Sequence, residues 1–277
     1  MGNLFATLFV NPIINVIVLL YHSLVYLHVP FALGFSIIIL TVVIRLILYP
    51  LTSAQLRMSK KMQTIAPHLS NLKEKHKNDS QKLQQETMRL YKEHGVNPAA
   101  GCLPLIVQLP VIWGLYSVLQ NVVNPSSKHV LDFVNKALYV PSFQLHAVWD
   151  QHFFGLPLGQ SPSKLISSVG FLILLFPVAT AAFQFIQSKM MFASPQPALV
   201  QKKDEKKKDE DFAQAFQSQS LYIFPLMIGF FSYSLPLGLS LYWNTFTIFG
   251  IIQQYKIAGL GGLSEWIQKI QKVGNKK

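Results

Sequence analysis

Charge is scarce in this sequence, and acidic charge is scarcest. Of 277 residues only 13% are charged, and 12 Asp and Glu face 24 Lys and Arg. Soluble domains carry roughly 25% charged residues, so an ordinary globular fold is excluded. No Asp or Glu falls inside any of the five long apolar runs described below. Proton- and ion-coupled transporters usually carry intramembrane acids, and intramembrane aspartyl proteolysis needs a pair of them. A lone cysteine, Cys102, excludes an intramolecular disulfide framework and a cysteine-rich metal site. The sequence has no phosphate-binding glycine loop, no His-Glu-x-x-His and no Gly-x-Ser-x-Gly. Its eight histidines are scattered. No catalytic residue, metal set or cofactor motif is therefore expected.

What is present is apolar sequence in blocks. Hydrophobic residues make up 51%, and the mean hydropathy is +0.32. Five runs near the length of a bilayer crossing emerge at about 32–51, 102–121, 166–187, 220–235 and 238–255. Segments 52–98, 188–219 and the tail from Lys256 hold 20 of the 24 basic residues, whereas 122–165 holds only Lys128, Lys136 and Lys164. Five crossings with the N-terminus outside put all three basic segments on one face, as the positive-inside rule requires. The net charge of +12 thus reads as membrane topology, and no DNA partner is expected. The expected fold is all-α: a polytopic membrane protein of five transmembrane helices with a cytoplasmic helical hairpin. Its organisation is an N-terminal helix over 1–30, a membrane core over 31–258 and a basic cytoplasmic tail over 259–277.

The opening stretch, about 4–28, is apolar but lacks Lys and Arg, so it has no signal-peptide n-region. Asn11, Asn15, His22 and Tyr26 fall on one helical stripe, which suits an amphipathic helix lying on the outer interface. A sixth crossing is the alternative.

The hairpin is expected over 52–98. Met58, Met62, Ile65, Leu69 and Leu72 make one stripe, and Leu83, Thr87, Leu90 and His94 a second. Lys77-Asn78-Asp79-Ser80 between them is turn-like and offers an N-cap. Pro67 should kink or break the first arm. The basic surface, Arg57, Lys60, Lys61 and Lys73 in particular, could meet lipid headgroups, ribosomal RNA or a targeting factor, or serve only to fix topology.

One charge sits where charge is costly. Arg45 interrupts the apolar run GFSIIILTVVIRLILYPLT (34–52). An intramembrane arginine costs a few kcal/mol and marks a functional candidate, although from about 6–8 Å below the interface it could also snorkel to headgroups. The sharper reading places it in a water-filled groove open to the cytoplasm, lined also by Gln108, Gln184, Gln187, Tyr242, Trp243, Asn244 and Thr247. Singly, each of these could be a helix-packing hydrogen bond. The last two runs are short: 15 helical residues reach about 22 Å, against a hydrocarbon thickness near 30 Å. Either the bilayer thins locally or interfacial aromatics extend the spans.

Three blocks resemble the YidC/Oxa-type membrane protein insertases, in the bacterial short form without a large periplasmic domain. They are GFSIIILTVVIRLILYPLT (34–52), VNPAAGCLPLIVQLPVIWGLY (96–116) and FPLMIGFFSYSLPLGLSLYWNTFTIFGIIQQY (224–255). The resemblance implies one five-span core with a hydrophilic groove in which Arg45 is the groove arginine. Clients would slide along the third and fifth spans without nucleotide or other cofactor. It implies nascent membrane proteins as substrates. The Sec translocon, the ribosome, the signal recognition particle receptor and membrane lipids are possible partners. The mixed-charge run KKDEKKKDED (202–211) departs from the family pattern. The location expected is a bacterial plasma membrane, with the C-terminus cytoplasmic. A small-solute channel or transporter is the alternative function.

Overall fold

The computed structural model describes residues 2–76, 79–96, 103–122, 127–191 and 208–274, and it is mostly helical. Its helices are α1 (Gly2–Phe5), α2 (Asn11–Tyr26, continued upstream by a π-helical turn over Ala6–Val10), α3 (Ala32–Ile47), α4 (Tyr49–Lys75), α5 (Ser80–Glu93) and α6 (Leu103–Val122). There follow α7 (Ser127–Ala137), α8 (Pro162–Val169), α9 (Leu175–Met191), α10 (Lys208–Ser234), α11 (Leu237–Ala258) and α12 (Gly262–Gly274). Asn97, Pro98, Gly101, Cys102, the Lys77-Asn78 half of the turn and 202–207 of the mixed-charge run lie outside the described residues.

By length and composition, two described helices can cross a membrane, Ala6–Tyr26 and Phe171–Met191. Ala32–Ile47 and Tyr49–Leu72 pass the same test only as a pair joined across a break, and Leu221–Ser234 is a shorter apolar helix. The first run ends earlier than its hydropathy suggests: α3 stops at Ile47, and Tyr49-Pro50 opens the next helix. The run 166–187 is not one helix either. Gly170, at φ +82°, ends α8, and Phe171–Leu174 forms a 3-10 turn before α9. Only glycine takes that backbone conformation without strain.

The chain divides into two compact units, each considered by itself. The first comprises Met1–Leu48, Leu105–Ala181 and Met227–Phe249. Its core joins Ile14, Ile17 and Val18 of α2 to Leu33, Ile37 and Leu40 of α3, with Leu115 and Leu119 of α6 and Tyr242 of α11. Asn15 and His22 of the polar stripe of α2 face protein, whereas Tyr26 is 83% exposed. Asn15 Nδ2 donates to the Ala137 carbonyl at 2.8 Å, and its Oδ1 accepts from the Tyr139 amide. The segment 127–165, which hydropathy leaves blank, is ordered: α7 buries Val130 and Val134, and β1 (His152–Phe153) pairs antiparallel with β2 (Leu156–Pro157). Phe154 and Gly155, both at positive φ, make the two-residue turn. Phe153 then lies against Gly34, where a Cβ would fall 2.1 Å from the ring.

The second unit comprises Tyr49–Pro104, Ala182–Leu226 and Gly250–Lys277. The helix α4 continues through Pro67; the prolyl nitrogen forfeits one hydrogen bond without ending it. Asp79 caps α5 by accepting from the Lys82 amide at 2.9 Å. Ile65 and Leu83 are buried, and His68 and His94 approach to 6.1 Å between ring centroids. His94 is exposed, so the second stripe ends one turn early.

Candidate functional site

Arg45 lies in the last turn of α3, where α-helical carbonyls favour a cation. Its side chain turns to α11 instead. Both Nε (3.1 Å) and Nη2 (2.5 Å) donate to the Phe246 carbonyl, and the guanidinium carbon stands 3.4 Å over the Phe246 ring. Arg45 is 4% exposed. None of the ion pairs among the described residues includes it. The charge is held by a carbonyl dipole and an aromatic face, both weaker than a carboxylate.

The residues around it come from a regular stripe. Tyr242, Phe246 and Phe249 are spaced four and three along α11, so they share one face. Tyr242 stacks on Phe246 with centroids 5.8 Å apart and accepts a hydrogen bond from Gln108 Nε2 of α6. Gln108, Tyr242 and Arg45 are therefore brought together, linked through Phe246.

Asn244 and Thr247 occupy another flank of α11. Asn244 Oδ1 and Thr247 Oγ1 are buried and have no hydrogen-bond partner among the described residues. Trp243 lines a small pocket with Phe231, Ser232, Leu235, Leu239 and Ser240. Next to it runs a chain of buried hydroxyls that hydropathy does not signal. Thr180 Oγ1 lies 3.1 Å from Ser232 Oγ, which lies 2.9 Å from Ser240 Oγ. Serine and threonine can hide in apolar helices because their hydroxyls return to backbone carbonyls, as Thr180 does to Phe176 at 2.8 Å. The helices meet closely here: a Cβ at Gly229 would come within 2.9 Å of the Ala181 methyl.

Gln184 and Gln187 belong to the second unit, half-buried on α9. That unit holds its own polar cluster, which hydropathy does not signal. The last carbonyls of α9 are capped by side chains: Gln63 Nε2 donates to Met190 (3.2 Å) and Met191 (2.9 Å), Ser59 Oγ to Met191 (2.8 Å), and Gln254 Nε2 to Met190 (3.2 Å). Nearby, Gln253 Nε2 reaches Thr52 Oγ1 at 2.7 Å and Ser53 Oγ at 3.2 Å, while its Oε1 is buried without a partner among the described residues. Arg57, Lys60 and Lys61 are exposed on α4, and the Lys73 side chain lies outside the described residues. No group of three or more His, Cys, Asp or Glu among the described residues could hold a metal ion.

The arginine of α3 is thus partnered by a helix that carries Tyr242-Trp243-Asn244. Residues 24–260 match the family described as "60Kd inner membrane protein". The chain belongs to this family, the YidC/Oxa-type insertases. It is 35% identical over 228 residues to "Membrane protein insertase YidC" of Fusobacterium nucleatum, covering 82% of this chain and 87% of that protein. It is 32% identical over 235 residues to "Membrane protein insertase MisCA" of Bacillus subtilis, covering 82% and 70%. It is also 33% identical over 262 residues to "Inner membrane protein ALBINO3, chloroplastic" of Arabidopsis thaliana, of which it spans 52%. Among solved structures it is similar to "Active YidC insertase crystal structure with the first transmembrane domain resolved", with TM-score 0.51 and 25% identity. That match covers 85% of this chain and 45% of the other. In this YidC/Oxa-type chain the arginine, Gln108 and Tyr242 form one cluster, and Trp243 and Asn244 stand on another side of the same helix.

Proposed function

We propose that this chain is a membrane protein insertase that moves hydrophobic segments of nascent proteins from the cytoplasm into the bilayer. The observation that carries this reading is a buried arginine with no acidic partner among the described residues, held over Phe246. Three buried side-chain oxygens of α11 have no hydrogen-bond partner among the described residues, and two of them, on Asn244 and Thr247, belong to the same unit as Arg45. A folded protein rarely tolerates such groups unless they serve a purpose. An intramembrane cation attracts the acidic or polar end of a client, and free acceptors can receive its backbone N–H groups before it forms a helix. Each contact lowers the penalty of several kcal/mol for an unsatisfied backbone group in hydrocarbon. Hydrophobic partitioning of the client then completes the transfer. No catalytic residue, nucleotide or metal is part of this reading.

The proposed setting is a bacterial plasma membrane crossed five times, with the N-terminus outside and the C-terminus inside. The basic segments all fall on one side of that arrangement. Exposed Arg57, Lys60 and Lys61 suit an acidic partner on the inner side. Lipid headgroups and ribosomal RNA have that chemistry, and the signal recognition particle receptor and the Sec translocon are further proposed partners. The test is insertion of a short single-span substrate into liposomes containing the purified protein. The expected result is a clear gain over protein-free liposomes that drops when Arg45 is replaced by methionine. Saturable flux of a small solute with no gain in insertion would support a channel or transporter instead.

A further inference from the structure

The helix after the last apolar run has no part in the proposed groove or hairpin. α12 (Gly262–Gly274) carries Leu263, Trp266, Ile267, Ile270 and Val273 at spacings of 3, 1, 3 and 3, a single apolar stripe in an otherwise polar helix. The described part of that stripe is only partly covered by protein: Leu263 is half-buried, and Trp266 is 42% and Ile267 36% exposed. A helix in water would hide such a face, and this one is held at the end of an apolar helix.

The depth of α12 follows from its anchor. Gly259 (φ +80°) and Gly261 (φ +52°) reverse the chain directly after α11. Gly261 fits so closely against the end of α9 that a Cβ would fall 2.1 Å from the Met190 carbonyl oxygen. α12 thus starts level with the last turn of a helix long and apolar enough to cross a membrane. Trp266 meets Phe185 of α9 edge-on, with centroids 6.0 Å apart. On its other side Phe185 lies 6.0 Å from the ring of Tyr222, itself exposed. Trp and Tyr gather at the boundary between headgroups and acyl chains, where an apolar ring and a polar edge are both satisfied. The polar positions of α12 and its surroundings are cationic: Lys256, Lys269, Lys272, Lys276 and Lys277 against the single acid Glu265.

We propose that α12 is a membrane-surface helix, with its Leu263-Trp266-Ile267 stripe sunk into the leaflet beside the end of α9 and its lysines on anionic lipid headgroups. This rests on the chain being a membrane protein but not on its being an insertase. An acidic surface such as ribosomal RNA would also attract the lysines but would leave an open tryptophan and isoleucine in water, so lipid is favoured.

The test uses the full-length protein in vesicles, with Cys102→Ser as background and spin labels placed singly by Ile267→Cys and Gln268→Cys. In vesicles of phosphatidylcholine with phosphatidylglycerol, the label at 267 should be open to oxygen and shielded from a water-soluble nickel chelate. Its depth should be about 5–10 Å below the headgroups, with 268 showing the reverse order. In pure phosphatidylcholine the depth at 267 should decrease. A label at 267 as open to the chelate as the one at 268 overturns the proposal, as does one shielded from both probes. So does shielding that arises only on adding ribosomes, and equal depth in the two lipids removes the headgroup contact. Because cysteine variants can misfold, wild type is also compared with Trp266→Phe in vesicles of brominated lipid. The tryptophan emission lost between them should be strongly quenched; emission indifferent to bromine overturns the proposal. Insertion activity is scored in the same vesicles, so failure of the insertase reading would be seen separately.

Discussion

Two polar clusters in this chain handle the same physical problem in opposite ways. At the end of α9, the Met190 and Met191 carbonyls receive donors from Gln63, Ser59 and Gln254, and Gln254 is 2% exposed. On α11, the Asn244 and Thr247 oxygens are buried without a hydrogen-bond partner among the described residues, and Arg45 makes do with a carbonyl and a ring. Satisfied polar groups in an apolar surround rigidify; unsatisfied ones cost free energy and persist where they do something else. The first cluster reads as architecture and the second as function.

The strongest way to break that contrast is Arg45→Met. It should lower insertion of a client with an acidic end at least tenfold, about 1.4 kcal/mol of barrier, while thermal unfolding in detergent moves little or upward. Arg45→Lys should restore only part, since one ammonium cannot reproduce the paired Nε and Nη2 contact. If both variants insert as wild type does, the arginine belongs with the architecture. Next in size is a packing control, Gly34→Val. Its side chain would meet the Phe153 ring, so a loss of about 1–3 kcal/mol in unfolding free energy is expected, with insertion per folded molecule retained. Gln63→Ala should be smaller, about 1–2 kcal/mol of stability for carbonyls left without that donor, again with activity per folded molecule unchanged. The smallest stability effect, and the sharpest test, is Thr247→Val. Removing an oxygen with no donor should leave the unfolding temperature unchanged or slightly raised, while insertion falls a few-fold. A stability loss as large as that of Gln63→Ala would show that Thr247 is bonded in the membrane and would merge the two clusters.

The sequence made the helical architecture legible because bilayer-length apolar runs and 3.6-residue stripes are signals summed over many residues. Arg45 stood out for the same reason, a charge against an apolar background. Asp79 was readable as a cap because one side chain and one amide three residues on suffice. Helix ends were less legible. Hydropathy runs through Leu48 and across Gly170, but backbone geometry ends helices at both places. Least legible were contacts that join distant residues. Thr180, Ser232 and Ser240 look like ordinary small residues of apolar runs, and only their meeting makes a hydroxyl chain. Polarity in a span is visible in sequence, and it marks Gln108, Tyr242, Trp243, Asn244 and Thr247 as one set. The flank each occupies is not a property of polarity, and so Tyr242 and Asn244 fell together although α11 turns them apart.

The first turn of α11 draws on a distant loop. The Leu237 and Gly238 amides donate to the Gln160 and Leu158 carbonyls at 2.9 and 2.7 Å, so backbone rather than side chain quenches two of the helix's orphan donors. Every residue type carries a carbonyl, so mutational drift at Gln160 should be nearly silent there. Losing or gaining one residue between β2 and α8 would shift both acceptors out of register. Loop length, rather than loop spelling, is what selection has to guard at that end of the protein.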